Sequence, residues 1–372
     1  MHVMVVFGTR PEALKLVPVI RVLQKSPGIR TTVCVTGQHR DMLDQVLELY
    51  GIKTDIDLNL MKDSQPLASL LGDSVRQLGN EFRRERPDWV LVQGDTATTL
   101  GAALAAFYER IRIGHVEAGL RTYNFGHPWP EEMQRHVVGT LSTMHFAPTV
   151  GAKNNLLNEG VPEQSILVTG NTVIDTLLET VALLRQENGP AQRMNERFAF
   201  LDDRPLLLVT SHRRENHDGG LGRLCQALHD LASHQNVQIV FPVHRNPVVK
   251  TTVHRMLDGI ANIHLIEPQD YPSFVYLMDR SRMIITDSGG IQEEAPSLKK
   301  PVLVVRETTE RPEAVSAGTA ELVGTDPGRI KDSVLALLND PELYRRRSNC
   351  PNPFGDGHAS ERILESLILH KR

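Results

Sequence analysis

The sequence predicts an α/β protein built from two doubly wound, mostly parallel sheets. Short apolar runs alternate with helix-forming stretches from end to end, which is typical of parallel strands covered by helices on both faces. This pattern occurs twice, and a chain of 372 residues is too long for one compact core. No internal repeat or low-complexity segment is evident, which excludes a solenoid. We therefore expect two domains that face each other across a cleft.

The predicted strands are apolar runs of four to six residues, followed by helical stretches such as Ala13–Gln24 and Thr98–Glu109. In the first half they are Val3–Phe7, Thr32–Thr36, Trp89–Gln93, Arg112–Glu117 and Met144–Ala147. In the second half they are Leu206–Thr210, Val237–Pro242, Ile263–Ile266, Met283–Thr286 and Pro301–Val304. The chain is expected to cross between the domains near Gly170, and residues 185–203 to form surface helix and loop.

Composition narrows the class of protein. The apolar share of 40%, the charged share of 23% and the formal charge of -4 indicate a globular protein without a nucleic-acid surface. Three distant cysteines (Cys34, Cys225, Cys350) form no CxxC pair, so neither a disulfide framework nor a zinc site is expected. The N-terminus enters a strand at once, and no apolar run approaches ~20 residues. These features predict a cytoplasmic protein without membrane insertion.

Chemically distinctive residues follow the strands, where parallel sheets bind their ligands. They are Gly8–Glu12, Gln93–Asp95, Glu117–Arg121 and Ser211–Asn216. The turn after the first strand of each predicted domain lacks the dinucleotide fingerprint G-x-G-x-x-G, and the sequence contains no P-loop motif. Redox and kinase chemistry therefore lose support. No histidine and carboxylate spacing matches a catalytic metal site. We predict no metal and no cofactor.

Asp95, Glu117 and Glu131 are the most economical acid–base set in the chain. Carboxyl groups that share a partly dehydrated site differ in proton affinity, so one can hold a proton while another accepts one. The set suits proton removal or departure of a sugar-linked phosphate. Taken singly, each acid could instead be a helix N-cap or a salt-bridge partner, such as Glu117 with Arg121.

A second set is cationic or switchable and is expected to face the acids across the cleft. It comprises Arg10, Lys15, His212, Arg213 and His244. Arginine and lysine neutralise a diphosphate leaving group, and a histidine at a strand end donates to a phosphate oxygen.

The segment Asp287–Glu294 follows the predicted strand Met283–Thr286 and leads into a helix. Small residues let the backbone approach oxygen atoms closely, and a helix N-terminus favours an anion. Glu294, just inside the helix, would repel a phosphate but accept hydrogen bonds from a ribose. The segment indicates a nucleotide site, and an ordinary strand-to-helix turn with a glycine pair is the equal alternative.

The chain resembles the non-hydrolysing UDP-N-acetylglucosamine 2-epimerases of bacteria. The matching motifs are in order, correctly spaced, and cover essentially the whole chain. They are Gly8–Glu12, Gly37–Arg40, Gln93–Asp95, His115–Arg121, Pro130–Glu132, His212–Asn216, Thr286–Pro296 and Thr308–Ala314.

The resemblance implies a GT-B fold of two Rossmann-like domains that works as a homodimer. Residues 1–170 would form the first domain, 171–352 the UDP-binding domain, and 353–372 a C-terminal helix that crosses back to the first. The implied reaction interconverts UDP-GlcNAc and UDP-ManNAc, by anti elimination of UDP to 2-acetamidoglucal and re-addition of UDP. It would supply ManNAc units for a cell-wall or surface polysaccharide.

The resemblance also implies roles for single residues. The catalytic group would comprise Asp95, Glu117, Glu131 and His212. The substrate and UDP group would comprise Arg10, Lys15, Phe274, Ser288, Gly289, Gly290, Glu294 and Arg311. A second, allosteric UDP-GlcNAc site would comprise Gln38, His39, Arg213 and His244.

Three alternatives stay open. A hydrolysing epimerase would use the same elimination and release UDP and ManNAc, although Gln38 and His39 argue against it. A GT-B glycosyltransferase would need an acceptor groove, and no amphipathic basic helix for a lipid acceptor is seen. A nucleotide-sugar-binding regulator without turnover would gain nothing from three carboxylates.

Overall fold

The computed structural model describes residues 1–37, 40–61, 65–186, 190–211, 219–234 and 236–370. They form two compact units, each with its own parallel sheet. One unit comprises Met1–Thr176 with Phe354–Arg372, and the other comprises Leu177–Pro353.

Within the described part of the chain, the first sheet has seven strands and the second has six. The strands are β1 (His2–Phe7), β2 (Arg30–Val35), β3 (Ile56–Asp57), β4 (Trp89–Gln93), β5 (Arg112–Val116), β6 (Met144–Ala147), β7 (Ile166–Val168), β8 (Leu206–Thr210), β9 (Gln238–Pro242), β10 (Ile263–Ile266), β11 (Met283–Thr286), β12 (Val302–Val304) and β13 (Ala320–Leu322). Their order is β3-β2-β1-β4-β5-β6-β7 in the first sheet and β10-β9-β8-β11-β12-β13 in the second. Strand order therefore reverses beside β1 and beside β8, where such sheets form their binding crevices.

Helices cover both sheets. They are α1 (Arg10–Lys25), α2 (Arg40–Leu49), α3 (Leu67–Glu85), α4 (Ala97–Tyr108), α5 (Glu131–Leu141), α6 (Val150–Asn158), α7 (Thr172–Leu184), α8 (Ala191–Arg197), α9 (Gly220–His234), α10 (Pro247–Leu257), α11 (Tyr271–Arg280), α12 (Gly289–Glu294), α13 (Pro312–Ser316), α14 (Pro327–Asn339), α15 (Pro341–Ser348) and α16 (Ala359–Leu369). Every strand predicted from the sequence is present, with small differences at the ends. The short strands β3, β7 and β13 were missed.

The central strands are buried on both faces, which explains their unbroken apolar sequences. All five residues of β4 and all five of β8 are buried. Trp89 and Phe82 are among the largest fully buried side chains of the first unit, and Phe241 is one of those of the second. Burial on both faces requires helices on both sides of each sheet, as the sequence predicted.

Glu12 joins the first turns of α1 and α4 at the switch point of the first sheet. Its Oε2 accepts hydrogen bonds from the backbone N–H of Gly8 (3.2 Å) and Thr9 (2.8 Å). Its Oε1 accepts from the hydroxyls of Thr96 (2.8 Å) and Thr99 (3.2 Å). Because the carboxylate is buried and satisfied from two helices, it fixes the turns that precede α1 and α4 against each other.

The C-terminal helix α16 packs on α1 within the first unit. Asp175 of α7 accepts hydrogen bonds from the backbone N–H (2.8 Å) and hydroxyl (2.7 Å) of Ser360. The N–H of Asn171 donates to the carbonyl of Phe354 at 2.6 Å. These contacts hold the first turn of α7 in the first unit, which therefore runs to Thr176 rather than to the expected residue 170.

Candidate functional site

Among the described residues, three donors hold the carboxylate of Glu117, which follows β5. The Lys15 ammonium lies 2.6 Å from both carboxylate oxygens, and the Asn171 amide donates to Oε1 at 2.9 Å. The Gln93 amide donates to Oε2. Glu117 is buried, and its φ of 63° is uncommon for a residue other than glycine. A cation and two amides therefore fix an ionised carboxylate in one orientation.

Sheet topology brings these donors together. Gln93 ends β4, which pairs with β5, and Asn171 follows β7. One expectation and one alternative reading of the sequence are wrong. Lys15 belongs to the same unit as Glu117 and binds it directly, instead of facing it from the other domain. Arg121 does not pair with Glu117, because its guanidinium binds Glu159 through two contacts of 2.7 Å.

Gly119 controls the path of the loop after Glu117. A Cβ at this position would lie 2.3 Å from the carbonyl oxygen of Ala152, and the residue has a φ of 89°. We expect Gly119→Ala to lower the free energy of unfolding by about 3 kcal/mol, measured by urea denaturation. Gly160 is the matched control, since it has a φ of 81° but open space around its Cβ direction. Gly160→Ala should cost only about 1 kcal/mol, and equal losses would contradict the steric argument.

Asp95, in the turn after β4, binds the Arg135 guanidinium of α5 through Oδ2. Burial raises the pKa of Asp95 above its ordinary value, and the Glu117 carboxylate adds to this shift, whereas Arg135 and Lys15 oppose it. Asp95 and Glu117 thus interact electrostatically but have different partners. Two neighbouring carboxyl groups with different proton affinities are suited to acid–base chemistry.

Glu131 and Arg10 each begin a helix. Glu131 is the first residue of α5, after Pro130, and Arg10 is the first residue of α1. Both side chains are half-buried, and no residue in the described part of the chain forms a hydrogen bond or ion pair with either side chain. Arg135 lies one helical turn after Glu131, so α5 carries both Glu131 and the partner of Asp95.

The second unit brings together the predicted nucleotide residues after β11. Ser288 precedes α12, Gly289 and Gly290 form its first turn, and Glu294 ends it. The Glu294 carboxylate accepts a hydrogen bond of 2.6 Å from the Tyr271 hydroxyl. Phe274 lies three residues after Tyr271 in the first turn of α11, so it belongs to the same neighbourhood as Glu294.

Arg311 binds the segment that follows β11 through a neighbouring acid. Its guanidinium pairs with the buried Glu293 of α12. The Thr309 hydroxyl donates to the Gln292 side chain at 2.7 Å, also in α12. Arg311 and Thr309 therefore fasten the segment before α13 to the turn that carries Ser288.

The remaining predicted residues are those of the expected allosteric site and His212 of the expected catalytic group. His244 is exposed after β9, and its Nδ1 accepts a hydrogen bond of 3.2 Å from the N–H of Asn246. Gln38, His39, His212 and Arg213 lie outside the described residues. Among the residues that the structure describes, no group of histidines, cysteines and acids could hold a metal ion. No described helix is both long and apolar enough to span a membrane.

Sequence reasoning missed three partners of the acids. Gln93 was noted at the end of a strand, and Asn171 lies next to the expected domain crossing at Gly170, but neither was identified as a ligand of Glu117, and Arg135 was not identified. Asn171 lies just beyond β7, at the same edge of the sheet as Glu117, but β7 was not predicted, so the sequence offered no signal for this contact.

Comparison with known proteins gives one family. Residues 21–368 match the family model described as UDP-N-acetylglucosamine 2-epimerase. A UDP-N-acetylglucosamine 2-epimerase of Yersinia pestis is 52% identical over 375 residues, covering 100% of this chain and 99% of the relative.

Comparison with solved structures gives the same family. The UDP-GlcNAc 2-epimerase of Neisseria meningitidis bound to UDP-GlcNAc has a TM-score of 0.90 and 50% identity, covering 99% of this chain and 100% of the other. The Methanocaldococcus jannaschii UDP-GlcNAc 2-epimerase in complex with UDP-GlcNAc and UDP has a TM-score of 0.80 and 34% identity, with the same coverage. These matches confirm the GT-B-like fold with two parallel sheets.

Proposed function

Because the chain belongs to the UDP-N-acetylglucosamine 2-epimerase family and has the family's epimerase activity, we propose that it interconverts UDP-GlcNAc and UDP-ManNAc without net hydrolysis. A base takes the C2 proton as the C1–O bond to UDP breaks, and a C1=C2 double bond forms. UDP then adds back to 2-acetamidoglucal while a proton reaches the opposite face of C2.

This proposal rests on the different surroundings of the Asp95 and Glu117 carboxyl groups. Elimination and re-addition require one group that accepts a proton and another that donates one. Glu117 is held as a carboxylate by Lys15 and two amides. The pKa of Asp95 is raised by burial and by Glu117, which suits a group that gains and loses a proton. Glu131 is proposed as the third acid.

We assign the UDP moiety to the turn before α12. Backbone N–H groups of Ser288, Gly289 and Gly290 would bind the diphosphate, Glu294 the ribose and Phe274 the uracil. The proximity of Glu294 to α11 through Tyr271 supports this assignment, since ribose and base are neighbours in the ligand. Related proteins bound to UDP-GlcNAc or UDP support the ligand class.

The other substrate contacts are proposed from the sequence motifs. Arg10 would lie near the uridine, while Lys15, Arg311 and His212 would support the diphosphate or the reacting sugar. Lys15 also orients Glu117, and Arg311 acts through its ion pair with Glu293.

We further propose a cytoplasmic homodimer that supplies ManNAc units for a surface polysaccharide. UDP-GlcNAc would activate it at a second site of Gln38, His39, Arg213 and His244. Activation predicts that UDP-ManNAc alone reacts with a lag that added UDP-GlcNAc removes. A reaction that starts at full rate on UDP-ManNAc would refute this regulation.

The function is tested with UDP-GlcNAc in deuterated water, followed by proton NMR without added metal or nicotinamide. We expect UDP-ManNAc that carries deuterium at C2, because the abstracted proton exchanges with solvent before re-addition. Free UDP with ManNAc would instead identify the hydrolysing reaction. Epimerisation that retains the original hydrogen would contradict solvent exchange at C2.

A further inference from the structure

Arg135 occupies one oxygen of Asp95 and leaves the other available. Its Nη2 donates to Oδ2 of Asp95, and the guanidinium is 13% exposed. No group in the described part of the chain forms a hydrogen bond with Oδ1 of Asp95. One face of the carboxylate is thus fixed by protein, while the other oxygen is left for a ligand.

Glu132 holds Arg135 from behind. Its Oε2 lies 3.4 Å from Nη1 of Arg135, and its Oε1 accepts hydrogen bonds from the N–H groups of Thr122 (2.9 Å) and Tyr123 (2.8 Å). The Glu132 side chain is fully buried. Burial would raise the pKa of Glu132, but the two backbone N–H groups and Arg135 hold it below its ordinary value. Glu132 is therefore a carboxylate that anchors Arg135.

The same network reaches a second arginine. His136 lies 3.1 Å from Oε1 of Glu132 and 3.3 Å from Oε1 of Glu159. Glu159 in turn binds the Arg121 guanidinium at two positions. Because each carboxylate in this chain of contacts lies between two nitrogen-bearing side chains, the Arg135 guanidinium is held in place rather than being a mobile surface charge.

We propose that Arg135, anchored by Glu132, is a positioning residue of the epimerase reaction that holds the Asp95 carboxyl group in one orientation and directs its Oδ1 toward the sugar. This inference rests on the proposed function, because it takes Asp95 as a catalytic acid–base group. Asp95 faces three charged groups: Arg135 from α5, Glu117 from the turn after β5 and Lys15 from α1. Of the residues that the structure describes, only Arg135 makes a direct hydrogen bond to Asp95.

The test compares Arg135→Gln, Arg135→Lys, Asp95→Asn and the double variant, with kcat and KM measured from pH 5 to pH 9. Arg135→Gln should lower kcat about 100-fold with little change in KM, because the carboxylate loses its orientation. The acidic limb of its pH profile should move up by at least about one pH unit, since an adjacent arginine lowers an aspartate pKa by that amount or more.

Arg135→Lys should restore most of the pH profile, since it retains the charge, but only part of kcat, because an ammonium lacks the planar fork. The double variant should be no slower than Asp95→Asn, since both changes affect one group. Arg76→Gln is the control: it removes an exposed arginine that pairs with Asp73. Thermal unfolding verifies that each variant folds. If Arg135→Gln does not fold, the comparison with Arg135→Lys is used to test the proposal.

Two failures are distinguishable. Asp95→Asn with full activity would remove Asp95 from the proposed mechanism. An inactive Asp95→Asn, together with an unshifted pH profile in folded Arg135→Gln, would leave the proposed function intact and overturn the role of Arg135. A double variant slower than Asp95→Asn by the full Arg135→Gln factor would also overturn it.

Discussion

Glu117→Gln is expected to lower kcat about 1,000-fold while UDP still binds with unchanged affinity. The carboxylate is surrounded by donors from Lys15, Gln93 and Asn171, so the structure favours the charged form at this position. An amide has no basic oxygen, and its NH₂ group would face a donor. UDP affinity should persist because we assign the nucleotide contacts to the turn that begins at Ser288.

The measurement combines steady-state kinetics with calorimetric titration of UDP. Glu85→Gln provides a matched control, since it removes a carboxylate that pairs with the exposed Arg30 on the same unit. Its kcat should equal that of the unaltered protein. The variant Glu117→Gln removes a negative charge that pairs with Lys15, so its thermal unfolding is recorded as well. Wild-type turnover by folded Glu117→Gln would exclude Glu117 from proton transfer.

The sequence was sufficient to predict both sheets, because strands buried on both faces are continuous apolar runs. Trp89–Gln93 and Leu206–Thr210 are examples in which the predicted and observed bounds agree. The missed strands β3, β7 and β13 are two or three residues long, and each lies at the edge of its sheet. Segments this short have no measurable periodicity, and only their partners define them.

The acids Asp95 and Glu117 were predictable from their places after strands, but their partners were not. Lys15 lies 102 residues from Glu117, and Arg135 lies 40 residues from Asp95. Sequence reasoning instead offered the nearby Arg121 for Glu117, whereas the loop directs Arg121 to Glu159. Pairing depends on how α1 and α5 pack against the sheet, and no local pattern encodes that packing.

His115 and His145 are buried neutral histidines on the adjacent strands β5 and β6, where they are register partners. Nε2 of His115 donates to the carbonyl of Gly94 at 2.7 Å. Nδ1 of each ring has no hydrogen-bond partner among the described residues. Burial lowers the pKa of His115 to about 3 and that of His145 to about 4, from 6.5, and the positive charge of Arg121 contributes to both shifts.

Because His115 and His145 have lowered pKa values, we expect the free energy of unfolding of the first unit to fall on mild acidification. Well above pH 6.5 both rings are neutral in the folded and unfolded chains, so they contribute no pH dependence there. Below it the unfolded chain binds protons that the folded chain excludes, so stability falls with pH until the folded pKa values are reached. Between pH 7.5 and pH 5 each histidine should remove about 2 kcal/mol, before most carboxyl groups titrate.

Tryptophan fluorescence during urea unfolding isolates this effect, because both tryptophans of the chain, the buried Trp89 and the exposed Trp129, lie in the first unit. His115→Gln and His145→Gln should each remove about half of the pH dependence, and the double variant nearly all of it. His229→Gln alters an exposed histidine of α9 in the second unit and should leave the first unit's pH dependence unchanged. A double variant that retains the full loss between pH 7.5 and pH 5 would show that other groups cause the acid sensitivity. The pairing of two uncharged rings across β5 and β6 would then be a feature of packing alone.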